Sequence, residues 1–198
     1  GAGASNSSSL AFGGEVGGSA SQSSTEEFDA GISVGAWSTG DNLNTARSQI
    51  MGATQGTQTA ALGFGGNEPP VTGKTEAYNG TAWAEINDLN TGRRTGGGSG
   101  TQTAALLFGG TTTIPSGPGT TNKTESWNGN VWAEVNDLNT TRLVYGSGTG
   151  TNTAALAVGG EPPIVGIVES WNGSSWTEVA DLNTARYSAG MSGTTTSA

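Results

Sequence analysis

The 198-residue chain contains no cysteine and no histidine. Lack of cysteine excludes a disulfide framework, a thiol nucleophile and zinc–thiolate sites. Lack of histidine excludes Ser-His-Asp and Cys-His catalysis and most transition-metal sites, which rely on imidazole. Positive charge is scarce too: seven Lys and Arg stand against sixteen Asp and Glu, giving a net charge of -9. No cationic face is available for a phosphate backbone, so no nucleic-acid partner is expected. There is no run of about 18 apolar residues, so no membrane insertion is expected, and no secretory signal pattern is present. Leu, Ile, Val and Phe together supply only 30 residues. So low a share is usual in disordered chains, but disorder also needs strong charge, and nine negative charges over this length are weak. A folded chain with a lean core is expected. It opens on Gly1 rather than Met, which reads as a processed chain or a piece of a longer one.

What the chain does have is glycine, 35 residues of it, and repetition. An apolar-x-apolar-Gly-Gly string occurs at 10–14, 62–66, 106–110 and 156–160, and three copies are preceded by Thr-Ala-Ala. The first Gly of each pair lies at 13, 65, 109 and 159, giving spacings of 52, 44 and 50. A second string reads Thr75-Glu76-Ala77-Tyr78-Asn79-Gly80, then Trp83; Thr124-Glu125-Ser126-Trp127-Asn128-Gly129, then Trp132; and Val168-Glu169-Ser170-Trp171-Asn172-Gly173, then Trp176. Its first copy, Thr25-Glu26-Glu27-Phe28-Asp29, is degenerate and reaches Trp37 after a longer turn. A third string, Leu-Asn-Thr-x-Arg, closes each unit at Arg47, Arg93, Arg142 and Arg186.

Apolar residues within a unit alternate or run for four or five positions between Gly, Asn-Gly and Pro signals, and no 3.6-residue periodicity appears. Each unit therefore reads as four short strands, in the third unit 96–100, 103–108, 123–127 and 131–135. The Asn-Gly pairs favour positive φ and hairpin turns. One such sheet cannot hide its apolar face, so neighbouring sheets must stack; repeats of about 40–50 residues with four strands suggest propeller blades. The chain is read as one domain, 1–198, with units at 1–50, 51–96, 97–145 and 146–190. Residues 192–198 match 99–105 in register, so 191–198 either completes the first blade, closing the ring, or begins a further repeat; closure is the favoured expectation.

The Gly doublet, the aromatic–Trp pairs five apart (Tyr78/Trp83, Trp127/Trp132, Trp171/Trp176) and the Arg ten residues later resemble the kelch repeat. The resemblance spans nearly the whole chain and implies an all-β, four-bladed kelch-like propeller. The wording, poor in Lys and rich in Gly, Ser, Thr and Asn, is also similar to kelch-like proteins of marine phages and environmental sequences. Kelch relatives that oxidise alcohols with copper use His, Tyr and Cys ligands; this chain lacks His and Cys, so that chemistry is not carried over.

Two readings stand beside each repeated residue. Glu26, Glu76, Glu125 and Glu169, with Arg47, Arg93, Arg142 and Arg186, either ring a ligand or form one structural pair in every blade. Trp37, Trp83, Trp132 and Trp176 either stack sugars or pack blade on blade. The architectural reading is expected for both sets. Asp41, Asp88, Asp137 and Asp181 sit beside turns without the spaced ligand series of a calcium loop, so neither metal nor cofactor is expected.

Variation concentrates in the connections at 15–24, 67–74, 111–123 and 161–167. The resemblance places these on one face, where partners dock. Glu15, Asn67, Pro69, Pro70, Ile114, Pro115, Pro118, Glu161, Pro162 and Pro163 are the candidate contacts, with Tyr145 and Tyr187 just after the repeat Arg. Proline there lowers the entropy lost on binding, though loops also drift neutrally. The functional expectation is a non-catalytic adhesive module, virion or extracellular, in a phage tail fibre or decoration. Its partner would be a host surface glycan or protein, or other virion proteins, with homo-oligomers open. The alternative is a secreted or cell-surface bacterial lectin or protein-binding propeller. A two-carboxylate hydrolase finds no non-repeated acidic pair.

Overall fold

The computed structural model describes residues 2–5, 8–17, 20–30, 36–115, 118–191, 193 and 195. Its regular elements are all strands. The first unit holds β1 (Ala2–Ser5), β2 (Ser8–Phe12), β3 (Glu15–Val16), β4 (Ala20–Ser21), β5 (Thr25–Asp29) and β6 (Ala36–Gly40). The second holds β7 (Met51–Gly52), β8 (Ala61–Phe64), β9 (Thr75–Tyr78) and β10 (Trp83–Ile86). The third holds β11 (Gly97–Thr101), β12 (Ala104–Phe108), β13 (Thr124–Trp127) and β14 (Trp132–Val135). The fourth holds β15 (Gly148–Gly150), β16 (Ala155–Gly160), β17 (Val165–Trp171) and β18 (Trp176–Glu178). They form four antiparallel sheets of four strands, ordered β1-β2-β5-β6, β7-β8-β9-β10, β11-β12-β13-β14 and β15-β16-β17-β18. The pair β3–β4 is a small hairpin within the first long connection. Among the described residues no helix is long and apolar enough to cross a membrane.

Local chemistry explains the strand ends. Asn79 closes the β9–β10 loop by accepting from Thr81 N and Ala82 N through its side chain, both at 2.9 Å, while Gly80 takes φ +91°. Asn128 and Asn172 repeat the arrangement. Such side-chain bonds mimic a backbone turn. At the innermost strands, glycine answers a steric demand: a Cβ on Gly98 would lie 2.3 Å from the Gly52 carbonyl oxygen. Strands β7, β11 and β15 therefore run side by side at close range.

Side chains alternate along each strand with period two, so the second and third sheets bury both faces. Leu106 and Phe108 of β12 face the fourth sheet, meeting Ala155, Ala157, Trp171 and Trp176. Ala105 and Leu107 of the same strand face the second sheet and join Leu62, Phe64, Trp127 and Trp132. The first-to-second seam repeats the scheme with Leu10, Phe12 and Leu43 against Ala61, Tyr78 and Trp83. Across the three seams the ring pairs Phe12–Trp83, Phe64–Trp132 and Phe108–Trp176 lie with centroids 4.8, 5.0 and 4.8 Å apart. A few large aromatics thus supply what the scarce aliphatics do not.

A polar clamp crosses each seam. Arg47 pairs with Glu76 at 2.7 Å and Arg93 with Glu125 at 2.7 Å, and Arg142 pairs with Glu169. Each guanidinium is buried and also donates to carbonyls of the next sheet, Arg47 to Gly65 O at 2.8 Å and Lys74 O at 2.7 Å. Asn44, Asn90 and Asn139 donate to the same carboxylates and to Trp83 O, Trp132 O and Trp176 O. Trp83, Trp132 and Trp176 in turn donate through Nε1 to Thr25, Thr75 and Thr124. Asp88, Asp137 and Asp181 accept from the first backbone N–H of strand three or its equivalent, at Thr75, Thr124 and Val168.

The strand expected at 191–198 falls largely outside the described residues. Beside β2 stands β1, registered Ala2↔Leu10 and Ser5↔Ser8. After Arg186 the described residues lie beside β15, where Ser147 and Thr149 donate to Ala189 O and Gly193 O at 2.9 and 2.6 Å. Residues 192, 194 and 196–198 fall outside the described set. Among the described residues neither Arg186 nor Glu26 enters an ion pair; both are exposed, and no seam joins the fourth sheet to the first.

Candidate functional site

The candidate site is built at the end of the stack where the Gly-Gly doublets release the second strands. The amides of Gly13, Gly65 and Gly109 donate to Ser24 O, Lys74 O and Lys123 O at 2.9–3.0 Å, closing the base of each connection. The first residue of the connection then zips to the residue following the repeat Arg of the preceding unit. Ser48 bridges Asn67, Arg94 bridges Thr111 and Leu143 bridges Glu161. Connections and inter-sheet crossings are thereby fixed together at one end.

The next residues along the crossings are unusual. Gln49, Thr95, Tyr145 and Ser188 have φ of 51°, 57°, 52° and 54°, a left-handed conformation that non-glycine residues rarely adopt. Each costs about 1–3 kcal/mol and persists only where its surroundings over-determine it; Gln49 and Thr95 directly follow the bridged residues Ser48 and Arg94. Gln49, Thr95 and Tyr145 come together with Ile50, Met51, Gly96 and Gly146 around a cleft of about 150 Å³. The four strained positions carry four different side chains, although the clamps behind the first three are nearly identical. Strain of this kind gathers at functional sites.

Charged neighbours set the chemistry of the cleft. Arg94, nearly buried, donates to the Gln49 side-chain carbonyl and, through Nε and Nη2, to Thr113 O at 3.3 and 3.2 Å. Tyr145 donates to Glu161 Oε1 at 2.6 Å, and its ring lies 5.6 Å from that of Tyr187, which is 46% exposed. Burial first, and then the Glu161 carboxylate, push the Tyr145 phenol up to about 12. It is therefore a neutral donor at ordinary pH. Among the described residues no group of three or more Asp and Glu is placed to hold a metal ion.

Of the residues singled out from sequence, Tyr145, Tyr187 and Glu161 are brought together. Pro162 and Pro163 follow Glu161 as exposed positions. Pro69, Pro70, Ile114, Pro115 and Pro118 are exposed in the two middle connections. Glu15 lies in the β3–β4 hairpin opposite Ser21, and Asn67 is half-buried between Ser48 and Val71. Gln49, Thr95, Arg94 and Ser188 were not found from sequence. The signal was present, since three of the strained residues stand two positions after a repeat Arg and Tyr145 stands three after. Six of the repeated Glu and Arg and three of the four repeated Trp lie in seams, whereas Glu26, Arg186 and Trp37 are exposed at the ends.

Fold and site together define an all-β protein of four repeated antiparallel sheets whose variable loops and strained residues share one end. No family model and no curated protein matches the chain. Among solved structures 146 chains are similar. One is the structure of YjhT, with a TM-score of 0.70 over 92% of this chain at 13% identity. This chain spans 65% of the length of that one. At such identity the likeness concerns the fold alone.

Proposed function

We propose that the four sheets are kelch-like propeller blades and that the chain is a non-catalytic adhesive module, extracellular or on a virion appendage. It recognises a host surface glycan or protein with its loop end. The observation behind this reading is the contrast between seam and cleft. Seam residues repeat their chemistry from unit to unit, while Gln49, Thr95, Tyr145 and Ser188 share a strained backbone but not a side chain. Repeated chemistry serves the scaffold, and varied side chains on a rigid frame serve recognition. Tyr145 and Tyr187 supply amphipathic rings of the kind that stack sugars or anchor protein contacts at low entropic cost.

A glycan array and a cell-binding assay with the isolated chain test the reading. Binding is expected for the parent protein and is expected to fall about tenfold or more in Tyr187→Ala, the scale of losing a hot-spot aromatic. A folded protein that binds no glycan, polymer or cell surface overturns it.

A further inference from the structure

The cleft lies where the innermost strands begin. Gln49, Ile50 and Met51 lead into β7, Thr95 and Gly96 into β11, and Tyr145 and Gly146 into β15. Its volume is about 150 Å³, and an apolar cavity of about this size holds a benzene ring, so there is room for one side chain. Ile50, Met51, the two glycines and the Tyr145 ring make it largely apolar, and a Cβ on Gly146 would meet nothing within 4 Å. Most polar groups on its wall are already committed to the protein. Thr95 Oγ1 donates to Arg94 O at 2.6 Å, the Gln49 side-chain carbonyl accepts from Arg94, and the Tyr145 hydroxyl donates to Glu161. A sugar ring entering here gives up water at several hydroxyls and finds few partners in return, which is costly. An aliphatic or phenyl side chain loses nothing of the kind and gains by leaving water.

Charge stands to one side of the cleft. Glu161 accepts from Tyr145 through Oε1, is half-buried and enters no ion pair among the described residues. Arg94, on the Gln49 side, is nearly buried and tied to Thr113 O, so the carboxylate is the more accessible charge. The connections at the same end add apolar tips. Val16, Ile114 and Ile164 are 63, 50 and 51% exposed, and a carboxylate closely precedes two of them, Glu15 before Val16 and Glu161 before Ile164. We infer that the cleft takes one apolar side chain from a protein segment, and that Glu161 pairs with a Lys or Arg beside it. The inference rests on the adhesive reading and narrows its partner from a glycan or protein to a cationic, apolar protein segment. The net charge of -9 draws such a segment in. Gln49 is exposed and its carbonyl is held by Arg94, which leaves its amide N–H groups to donate to a backbone carbonyl of the segment.

The test is an NMR titration of the 198-residue chain that follows the Ile50 and Met51 methyl signals. The probes are the N-acetylated amides of leucyl-lysine, leucyl-glutamate and alanyl-lysine, together with methyl α-glucoside. Saturable shifts are expected with leucyl-lysine. Leucyl-glutamate is expected to bind about threefold more weakly, the scale of a partly exposed ion pair. Alanyl-lysine forfeits most of the burial and is expected to bind about tenfold more weakly. The Glu161→Gln variant, its fold checked by circular dichroism, is expected to bind the two leucyl probes equally. If that variant does not fold, the parent's preference for the lysyl probe must vanish at high salt. The glucoside is expected to leave both methyl signals unmoved. No shift with any peptide probe overturns the inference. So does equal binding of the two leucyl probes by the parent, a charge preference that survives in Glu161→Gln or at high salt, or a glucoside that competes with leucyl-lysine. A chain that fails here but binds glycans or cells in the array and adhesion assays loses this inference alone; one that binds nothing loses the adhesive reading as well.

Discussion

The sharpest test of the seams is removal of Glu125. This carboxylate is 2% exposed and accepts from Arg93 Nη2 at 2.7 Å, Asn90 N at 2.8 Å, Asn90 Nδ2 at 3.0 Å and Thr91 N at 3.4 Å. In Glu125→Ala the Arg93 guanidinium, fully buried, keeps only Lys123 O at 2.5 Å and Gly109 O at 3.4 Å. Removing one partner of a buried pair costs about 3–5 kcal/mol, because the other charge is left uncompensated. Desolvation already holds the Arg93 pKa below its ordinary value, with Glu125 pulling the other way but less strongly. Removing both charges should therefore be milder. Arg93→Met with Glu125→Leu leaves the Asn90 and Thr91 amides short of an acceptor, costing about 1–3 kcal/mol. Glu26→Ala, an exposed copy of the same residue, should change stability by no more than about 0.5 kcal/mol. Urea unfolding followed by Trp fluorescence reads all three, and with a slope of about 2 kcal/mol/M the Glu125→Ala midpoint falls by about 2 M. If Glu125→Ala shifts the midpoint no more than Glu26→Ala does, the clamp does not hold the sheets together and the argument fails.

Gly98→Ala should be destabilising by about 3 kcal/mol, at the upper end for overpacking, because its Cβ meets a backbone carbonyl oxygen at 2.3 Å rather than a movable side chain. Thermal unfolding measures it, and a melting temperature equal to the parent's refutes the close approach of β7 and β11. Tyr78 and Tyr145 are both raised to about 12 by burial and then by their acceptors Glu27 and Glu161. Folding favours the neutral phenol, so this contribution is full below the unfolded value of about pH 10 and is lost as pH rises through 12. Absorbance titration should show two tyrosines ionising late, with one moving toward pH 10 in Glu161→Gln; a single step near pH 10 for all tyrosines in the parent refutes it.

The four sheets were legible because each seam needs the same residues in the same order. Thr124-Glu125-Ser126-Trp127 specifies a strand, a clamp and a ring at once, and its repetition announces the fold more firmly than any propensity. The cleft was not legible, for an equally physical reason. Gln49 and Thr95 show no turn preference that would mark a left-handed residue; what sets them apart is that each directly follows a bridged residue, Ser48↔Asn67 and Arg94↔Thr111. In the third unit one additional residue moves the strained position to Tyr145, so even the count from Arg breaks there. Nor do the words of the sequence distinguish Arg186 from Arg142, or Glu26 from Glu169. Arg186 and Arg142 end the same string, and Glu26 stands where Glu169 does in a degenerate copy; position in the stack decides whether the charge is clamped. In a quasi-one-dimensional array each unit is stabilised by its neighbours, so a terminal unit keeps the chemistry of a seam without its other half.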